Sequence, residues 1–164
     1  MEYVDSVIQL IKEYDCHRVA EIGVLRAHLA KEVLRACALD AYYLIDPWDA
    51  SFGTHLTPAY WEDMAIQVYQ DMLDVDIAHV IRLRSVDAAK LFQPKSLDMV
   101  FIDADHVFTP VSQDIEAWLP ITKRILTGHD YDCERYPGLV RAVDARFEEV
   151  QVRPGTVWFA EVYT

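Results

Sequence analysis

Residues 97–108 read Leu97-Asp98-Met99-Val100-Phe101-Ile102-Asp103-Ala104-Asp105-His106-Val107-Phe108. Met99 to Ile102 is an unbroken apolar run, too short for a helix and lacking the polar alternation of a half-exposed strand. It predicts a central parallel strand covered on both faces. In open α/β sheets, ligands sit beyond the carboxyl ends of such strands. Asp103, Asp105 and His106 are therefore expected to face a cleft, and that edge of the sheet is the expected active site.

Upstream, Val4, Val7, Ile8 and Ile11 share one face of a helix over Glu2 to Tyr14, with Lys12 and Glu13 towards solvent. Arg18 to Val24 reads as a buried strand turning at Gly23, and Arg26 to Ala38 as a helix carrying Leu29, Val33, Leu34 and Cys37. A second strand, Ala41 to Ile45, ends at Asp46, and Pro47 stops helical continuation there. Asp49 to Pro58 reads as an irregular, lid-like loop before a helix from Tyr60 to Leu73. His79 to Leu83 is a third strand, with Ser85 capping a short helix over Val86 to Phe92.

Downstream of the organising strand, a helix is expected from about Thr109 to Ile121, with Pro110 in its first turn. Arg124 to Leu126 is a fifth strand opening into Thr127-Gly128-His129-Asp130-Tyr131. After a helix from Leu139 to Phe147, Glu149 to Val152 and Val157 to Val162 flank Arg153-Pro154-Gly155-Thr156, a predicted hairpin. Strands alternating with helices and ending in that hairpin argue for a three-layer α/β domain, mostly parallel with an antiparallel end.

A chain of 164 residues fits one domain, 1–164, and no repeat or linker divides it. Its 15 basic and 27 acidic residues give a formal charge of −12, the reverse of a phosphate-gripping surface, so no nucleic-acid partner is expected. Cys16, Cys37 and Cys133 are odd in number and widely spaced, which suggests reduced thiols. No signal core and no apolar run of about 20 residues is present, so a soluble cytoplasmic protein without a membrane partner is expected.

Four motifs occur in the order of a class I S-adenosylmethionine-dependent methyltransferase. Glu21-Ile22-Gly23-Val24 resembles the first motif, Leu44-Ile45-Asp46-Pro47-Trp48 the acidic second strand, Phe101 to His106 the fourth, and Gly128-His129-Asp130-Tyr131 the motif after the fifth strand. With Asp114-Ile115-Glu116-Ala117-Trp118 and Gly138 to Asp144, these are most similar to a bacterial "family 24" subfamily, related to macrolide and aminocoumarin sugar O-methyltransferases. The resemblance implies a Rossmann-like methyltransferase fold over nearly the whole chain. Two departures stand out: Ala27 replaces a customary second glycine, and Lys123-Arg124-Ile125 replaces the usual Pro-Gly-Gly turn.

The resemblance implies S-adenosylmethionine as cofactor and a small hydroxylated molecule as acceptor. Gly23 would let backbone amides approach the methionine carboxylate, and Glu21 would accept from the amino group; an ordinary strand-to-helix turn is the alternative. Asp46 would accept from the ribose hydroxyls, or would cap a turn. Ser85, Val86 and Asp87 are expected at the adenine edge, with Asp87 otherwise a first-turn acid complementing a helix dipole.

Asp103, His129 and Asp130 are the implied metal ligands, for Mg²⁺ through the two carboxylates or for a softer ion such as Mn²⁺. The alternative is a hydrogen-bonded cluster without metal. His106, three positions after Asp103, stands where metal-dependent relatives carry a general base, and imidazole suits proton removal near neutral pH. Asp105 would orient it or add a ligand. Trp48, Phe52, His55, Tyr60 and Trp61 would line an aromatic pocket, with Tyr131 and Tyr136 beyond the fifth strand. Core packing, or a homo-oligomer interface, would account for the same aromatic residues.

Two other functions stay open at this level. A non-catalytic descendant of the fold would bind cofactor or a protein partner without turnover. A nicotinamide-dependent oxidoreductase would use Gly23 and Asp46 in a dinucleotide unit, against which stands the missing G-x-G-x-x-G.

Overall fold

The computed structural model describes residues 2–49 and 56–162. In chain order the elements are α1 (Glu2–Glu13), β1 (Arg18–Ile22), α2 (His28–Ala36), β2 (Ala41–Ile45), α3 (Pro58–Met72), β3 (Ala78–Ile81), α4 (Ser85–Ala89), β4 (Leu97–Ile102), α5 (Phe108–Trp118), β5 (Thr122–Gly128), α6 (Pro137–Arg146), β6 (Gln151–Arg153) and β7 (Val157–Glu161). The seven strands form one sheet in the order β3-β2-β1-β4-β5-β7-β6.

The strands β3 to β5 are parallel, and β7 runs antiparallel to both β5 and β6. This is the expected three-layer α/β architecture. Every residue of β4 is buried, because helices cover both faces of the sheet. On one face, α1, α2 and α3 supply Val7, Leu10, Val33, Met64 and Val68. On the other, α4, α5 and α6 supply Ala88, Ile115, Trp118 and Val143. Strand order reverses at β1, whose neighbours are β2 and β4, and a crevice opens above such a switch point.

The boundaries differ from expectation where tertiary contacts extend or cut an element. Strand β5 runs on to Gly128 instead of stopping at Leu126, because Thr127 and Gly128 pair with Phe159 and Trp158 of β7. Helix α4 covers five residues, with Arg84 and not Ser85 at its N-cap and no side-chain cap bond. Ser85 is needed elsewhere: its Oγ accepts the Trp118 indole N–H at 2.8 Å. Among the described residues, no helix is long and apolar enough to cross a membrane.

Candidate active site

A cleft of about 730 Å³ lies over the carboxyl ends of β1, β2 and β4, within the range of small-molecule sites. Tyr3, Glu21, Gly23, Asp46, Asp103 and His106 line it, together with Ser85, Val86 and Asp114. The sheet edge named from sequence is therefore the concave one.

Gly23 is where the two central strands meet. Its φ is +88°, and a Cβ there would lie 2.3 Å from the Asp103 carbonyl oxygen. Only glycine lets the loop after β1 pass this close to the end of β4. The same joint is tied by Gly23 N–H to Ile45 O at 2.9 Å and Asp103 N–H to Ile22 O at 2.8 Å.

Glu21 is 3% exposed and accepts the Tyr42 hydroxyl at 2.7 Å. Burial lifts its carboxyl to about 8, with the charges of Asp103 and Asp46 adding to the rise and the Tyr42 bond opposing it. A group poised at that value changes charge when a cation arrives beside it.

Asp46 is a loop clamp. Its Oδ2 accepts the Val24 and Leu25 N–H groups, each at 3.0 Å, and its Oδ1 accepts Trp48 N–H at 2.8 Å. This is the turn-capping alternative, and it leaves roughly one of about four carboxylate lone-pair sites for a ligand. Burial raises the Asp46 pKa despite those three bonds. Asp49, the first residue of the loop expected to be lid-like, lines the same wall, with its carboxylate 3.9 Å from Arg84.

Ala27, at the second-glycine position, has φ 55° and ψ 33° and precedes α2 in the left-handed region. The backbone there keeps the conformation that glycine adopts freely. Ala27 is fully buried and is absent from the cleft wall, so its methyl packs behind the loop and does not narrow the cleft.

At the end of β4 and β5 the three expected ligands converge. One ligand atom each from Asp103, His129 and Asp130 lies within 4.8 Å of the others. His129 Nδ1 is 3.5 Å from Asp103 and 3.7 Å from Asp130. Burial pushes the His129 pKa down, but hydrogen bonding to Asp103 and the charges of Asp103 and Asp130 outweigh it, and the net shift is upward. Two carboxylates and one imidazole fit a divalent ion, and the nitrogen donor suits Mn²⁺ better than Mg²⁺. Asp130 holds a left-handed φ of 58°, a region that Asp tolerates better than most residues.

His106 joins this group: its Nε2 is 2.7 Å from Asp130 Oδ2. A carboxylate only accepts, so Nε2 carries the hydrogen and Nδ1 keeps its lone pair in the neutral ring. The imidazole is stacked on Tyr136, with centroids 4.2 Å apart. Asp105 does not orient it; Asp105 Oδ1 accepts Val107 N–H at 2.7 Å and shapes the turn into α5.

The aromatic residues divide. Trp61 lines the cleft. Trp48 is 1% exposed and donates its indole N–H to Leu25 O at 2.9 Å, so it supports the loop from behind. Tyr60 accepts from Arg26 at 2.6 Å beside a separate groove, and Tyr131 donates to Asp144. Phe52 and His55 lie outside the described residues.

Asp87 does not line the cleft. It pairs with Lys90 at 2.6 Å on the exposed side of α4, and that pairing lowers its pKa; the first-turn acid reading fits it. Ser85 and Val86 do line the cleft. Two other wall residues had no site role assigned from sequence, although Asp114 opens one of the motifs that carry the resemblance. Tyr3 reaches the cleft from α1, and no local pattern marks it. Asp114 does have a signal: between Val111 and Trp118 it falls on the buried stripe of its helix, where an acid is uncommon.

The family whose model is described as "Methyltransferase domain" matches residues 21–131, a span holding Glu21, Gly23, Asp46, Asp103, His106, His129 and Asp130. No curated protein matches the chain. The fold is similar to a spermidine synthase from Thermotoga maritima, with TM-score 0.68 and 17% identity over 99% of this chain and 60% of that one. It is similar to an O-methyltransferase from Bacillus cereus in complex with SAH, with TM-score 0.66 and 14% identity over 98% and 80%. It is also similar to the O-methyltransferase NovP, with TM-score 0.69 and 14% identity over 99% and 79%. The chain thus spans about three fifths of the spermidine synthase. At these identities the likeness to each is one of fold.

Proposed function

The chain belongs to the methyltransferase domain family, and on that premise we propose that it is an S-adenosylmethionine-dependent O-methyltransferase acting on a small hydroxylated metabolite with the help of a divalent metal. One observation carries the reading: the Asp103, His129 and Asp130 donors converge beside His106, and of these Asp103 and His106 line the same cleft as Glu21, Gly23 and Asp46. The SAH named with the Bacillus cereus structure of the same fold supports the choice of cofactor.

S-adenosylmethionine would supply a sulfonium methyl group, and a metal held by Asp103, His129 and Asp130 would supply Lewis-acid and template chemistry. The protein's own groups would do the rest. Gly23 would let the loop amides approach the methionine carboxylate, and Glu21 would accept from its ammonium. The remaining lone pair of Asp46 would take a ribose hydroxyl. His106, with Nε2–H directed at Asp130, would present Nδ1 to the acceptor hydroxyl and take its proton.

The test is calorimetric titration of the chain with S-adenosylhomocysteine, with and without Mn²⁺ or Mg²⁺, followed by a screen of sugars and polyphenols for methyl transfer. Binding and metal-dependent turnover support the reading. Absence of S-adenosylhomocysteine binding under every condition would overturn it.

A further inference from the structure

One edge of the sheet carries a sequence with a twofold pattern. Residues 74–84, which contain β3 and its flanks, read Asp74-Val75-Asp76-Ile77-Ala78-His79-Val80-Ile81-Arg82-Leu83-Arg84. Counted outward from His79, each apolar residue has an apolar counterpart: Ala78 with Val80, Ile77 with Ile81, and Val75 with Leu83. Each charge has its opposite: Asp76 with Arg82, and Asp74 with Arg84. The segment is formally neutral within a chain of charge −12.

Such a pattern does nothing within one strand and is complementary between two antiparallel ones. Strand β3 is outermost in the sheet, and among the described residues β2 is its only partner strand. The Ile77 carbonyl accepts Tyr42 N–H at 2.8 Å and the Ile81 carbonyl accepts Asp46 N–H at 3.3 Å. Odd-numbered residues therefore direct their backbone groups at β2, and Ala78 and Val80 direct theirs to the open side. The Ala78 N–H is taken by Val75 O at 2.9 Å, which leaves the Ala78 carbonyl and the Val80 amide groups for that side.

Charges usually protect an exposed edge from pairing. Charges of one sign would repel any second strand, but opposite signs at the two ends of β3 attract an antiparallel copy. Asp74 and Asp76 are exposed, and among the described residues no cation pairs with either. Arg82 is held by Glu62 at 2.7 Å, and the Arg84 side chain is 60% exposed.

The helix beside this edge has a second apolar face. Helix α3 buries Trp61, Met64, Ala65, Val68 and Met72, which is enough to seat it on the sheet. Ile66 and Tyr69, with Leu73 just past its end, form another stripe that is 45%, 43% and 80% exposed. Leu83, at the far end of β3, is 40% exposed. Covering these side chains would be favourable in proportion to the apolar area removed from water.

We propose that β3 is a dimerisation edge, pairing antiparallel with β3 of a second copy of this chain about a twofold axis at His79. In that register the Ala78 carbonyl of each chain faces the Val80 N–H of the other. Asp76 and Asp74 meet Arg82 and Arg84 of the second copy. The axis stands perpendicular to the joined sheet, so both α3 helices lie on the same face and their outer stripes meet across it. The proposal is independent of the chemistry proposed for the cleft.

The experiment is sedimentation velocity on the wild-type chain and on Asp74→Arg/Asp76→Arg, over about 1–100 μM, a range that detects modest association. The wild type is expected to sediment at twice the chain mass. The variant sets like charges opposite each other at both ends of the paired strands, and its dimer dissociation constant should rise by about 100-fold or more. Its melting temperature should stay close to wild type, because neither aspartate holds a partner within the chain. A wild type that stays monomeric throughout, or a variant dimer that is not weakened, would overturn the proposal.

A second readout needs no variant. The Val80 amide points away from β2, so in a monomer it should exchange rapidly with solvent, and in the dimer it should be protected. Residue-resolved hydrogen exchange on the wild type should show Val80 protection that grows with protein concentration. Rapid Val80 exchange at every concentration would overturn this edge as the interface, even if the chain proved dimeric.

Discussion

The ring of Tyr3 rests against the imidazole of His129, with centroids 4.6 Å apart, so the first turn of α1 supports the end of β5. The β6–β7 turn holds that helix in place: Gly155 passes so close that a Cβ there would lie 2.5 Å from Tyr3 N, and Ser6 donates to Pro154 O at 2.8 Å. Burial raises the Tyr3 pKa, with the charges of Asp103 and Glu21 adding to it. If His129 is a metal ligand, Tyr3 is its positioning residue. Tyr3→Ala should weaken Mn²⁺ activation by about 10-fold to 100-fold, the usual effect of removing a group that orients a ligand. Tyr3→Phe, which keeps the ring, should stay near wild type. Metal titrations of turnover distinguish the two, and equal loss in both variants would assign the effect to the hydroxyl instead.

Glu21 makes cofactor binding a proton-linked event. Its folded-state pKa is about 8 against an ordinary 4.5, so between those values the folded chain holds a proton that the unfolded chain has lost. Its contribution to stability is present at low pH and is lost as pH rises through the folded pKa. Glu21→Gln should flatten that decline, seen as melting temperature against pH. In the wild type at neutral pH, an ammonium arriving beside Glu21 should expel its proton. Calorimetry in buffers of different ionisation enthalpy should detect proton release on S-adenosylhomocysteine binding in the wild type and none in Glu21→Gln.

His106 should separate chemistry from binding. His106→Asn removes the Nδ1 base while keeping a polar group near Asp130. Turnover is expected to fall by about 10²-fold to 10⁴-fold, the span for loss of general acid–base catalysis. S-adenosylhomocysteine affinity should hold. A fully active variant would remove His106 from the chemistry.

Ala27 offers a backbone test. A non-glycine residue in the left-handed region costs about 1–2 kcal/mol, while glycine loses about 0.5–1 kcal/mol in chain entropy and about 0.8 kcal/mol for a buried methyl group. These effects nearly cancel, so Ala27→Gly should change stability by no more than about 1 kcal/mol although the site is fully buried. Ala27→Val, β-branched at a left-handed φ, should be clearly destabilising. Denaturant unfolding of both variants tests this, and a strongly destabilised Ala27→Gly would mean that the methyl contact dominates.

Much of the fold was legible because it rests on local patterns. The apolar run into Asp103, the turn at Gly23, the stop at Asp46-Pro47 and the final hairpin each follow from the side chains within a few residues, and their order along the chain implies a doubly wound sheet. Strand ends in such a sheet share a side, which puts Asp103, His129 and Asp130 at one sheet edge, while their grouping as ligands followed from the family resemblance.

What only the tertiary structure decided is which way each polar group turns. Asp46 and Asp87 are both acids just past a strand; one is drawn into the amides of its neighbouring loop, and the other is drawn outward by Lys90. Tyr3 and His129 are separated by most of the chain and meet because α1 packs beside the β6–β7 turn. Sequence determines which residues lie at the active edge, because periodicity and turn chemistry are short-ranged. Direction, pairing and pKa depend on burial and on partners brought from other elements, and these exist only once the sheet has closed.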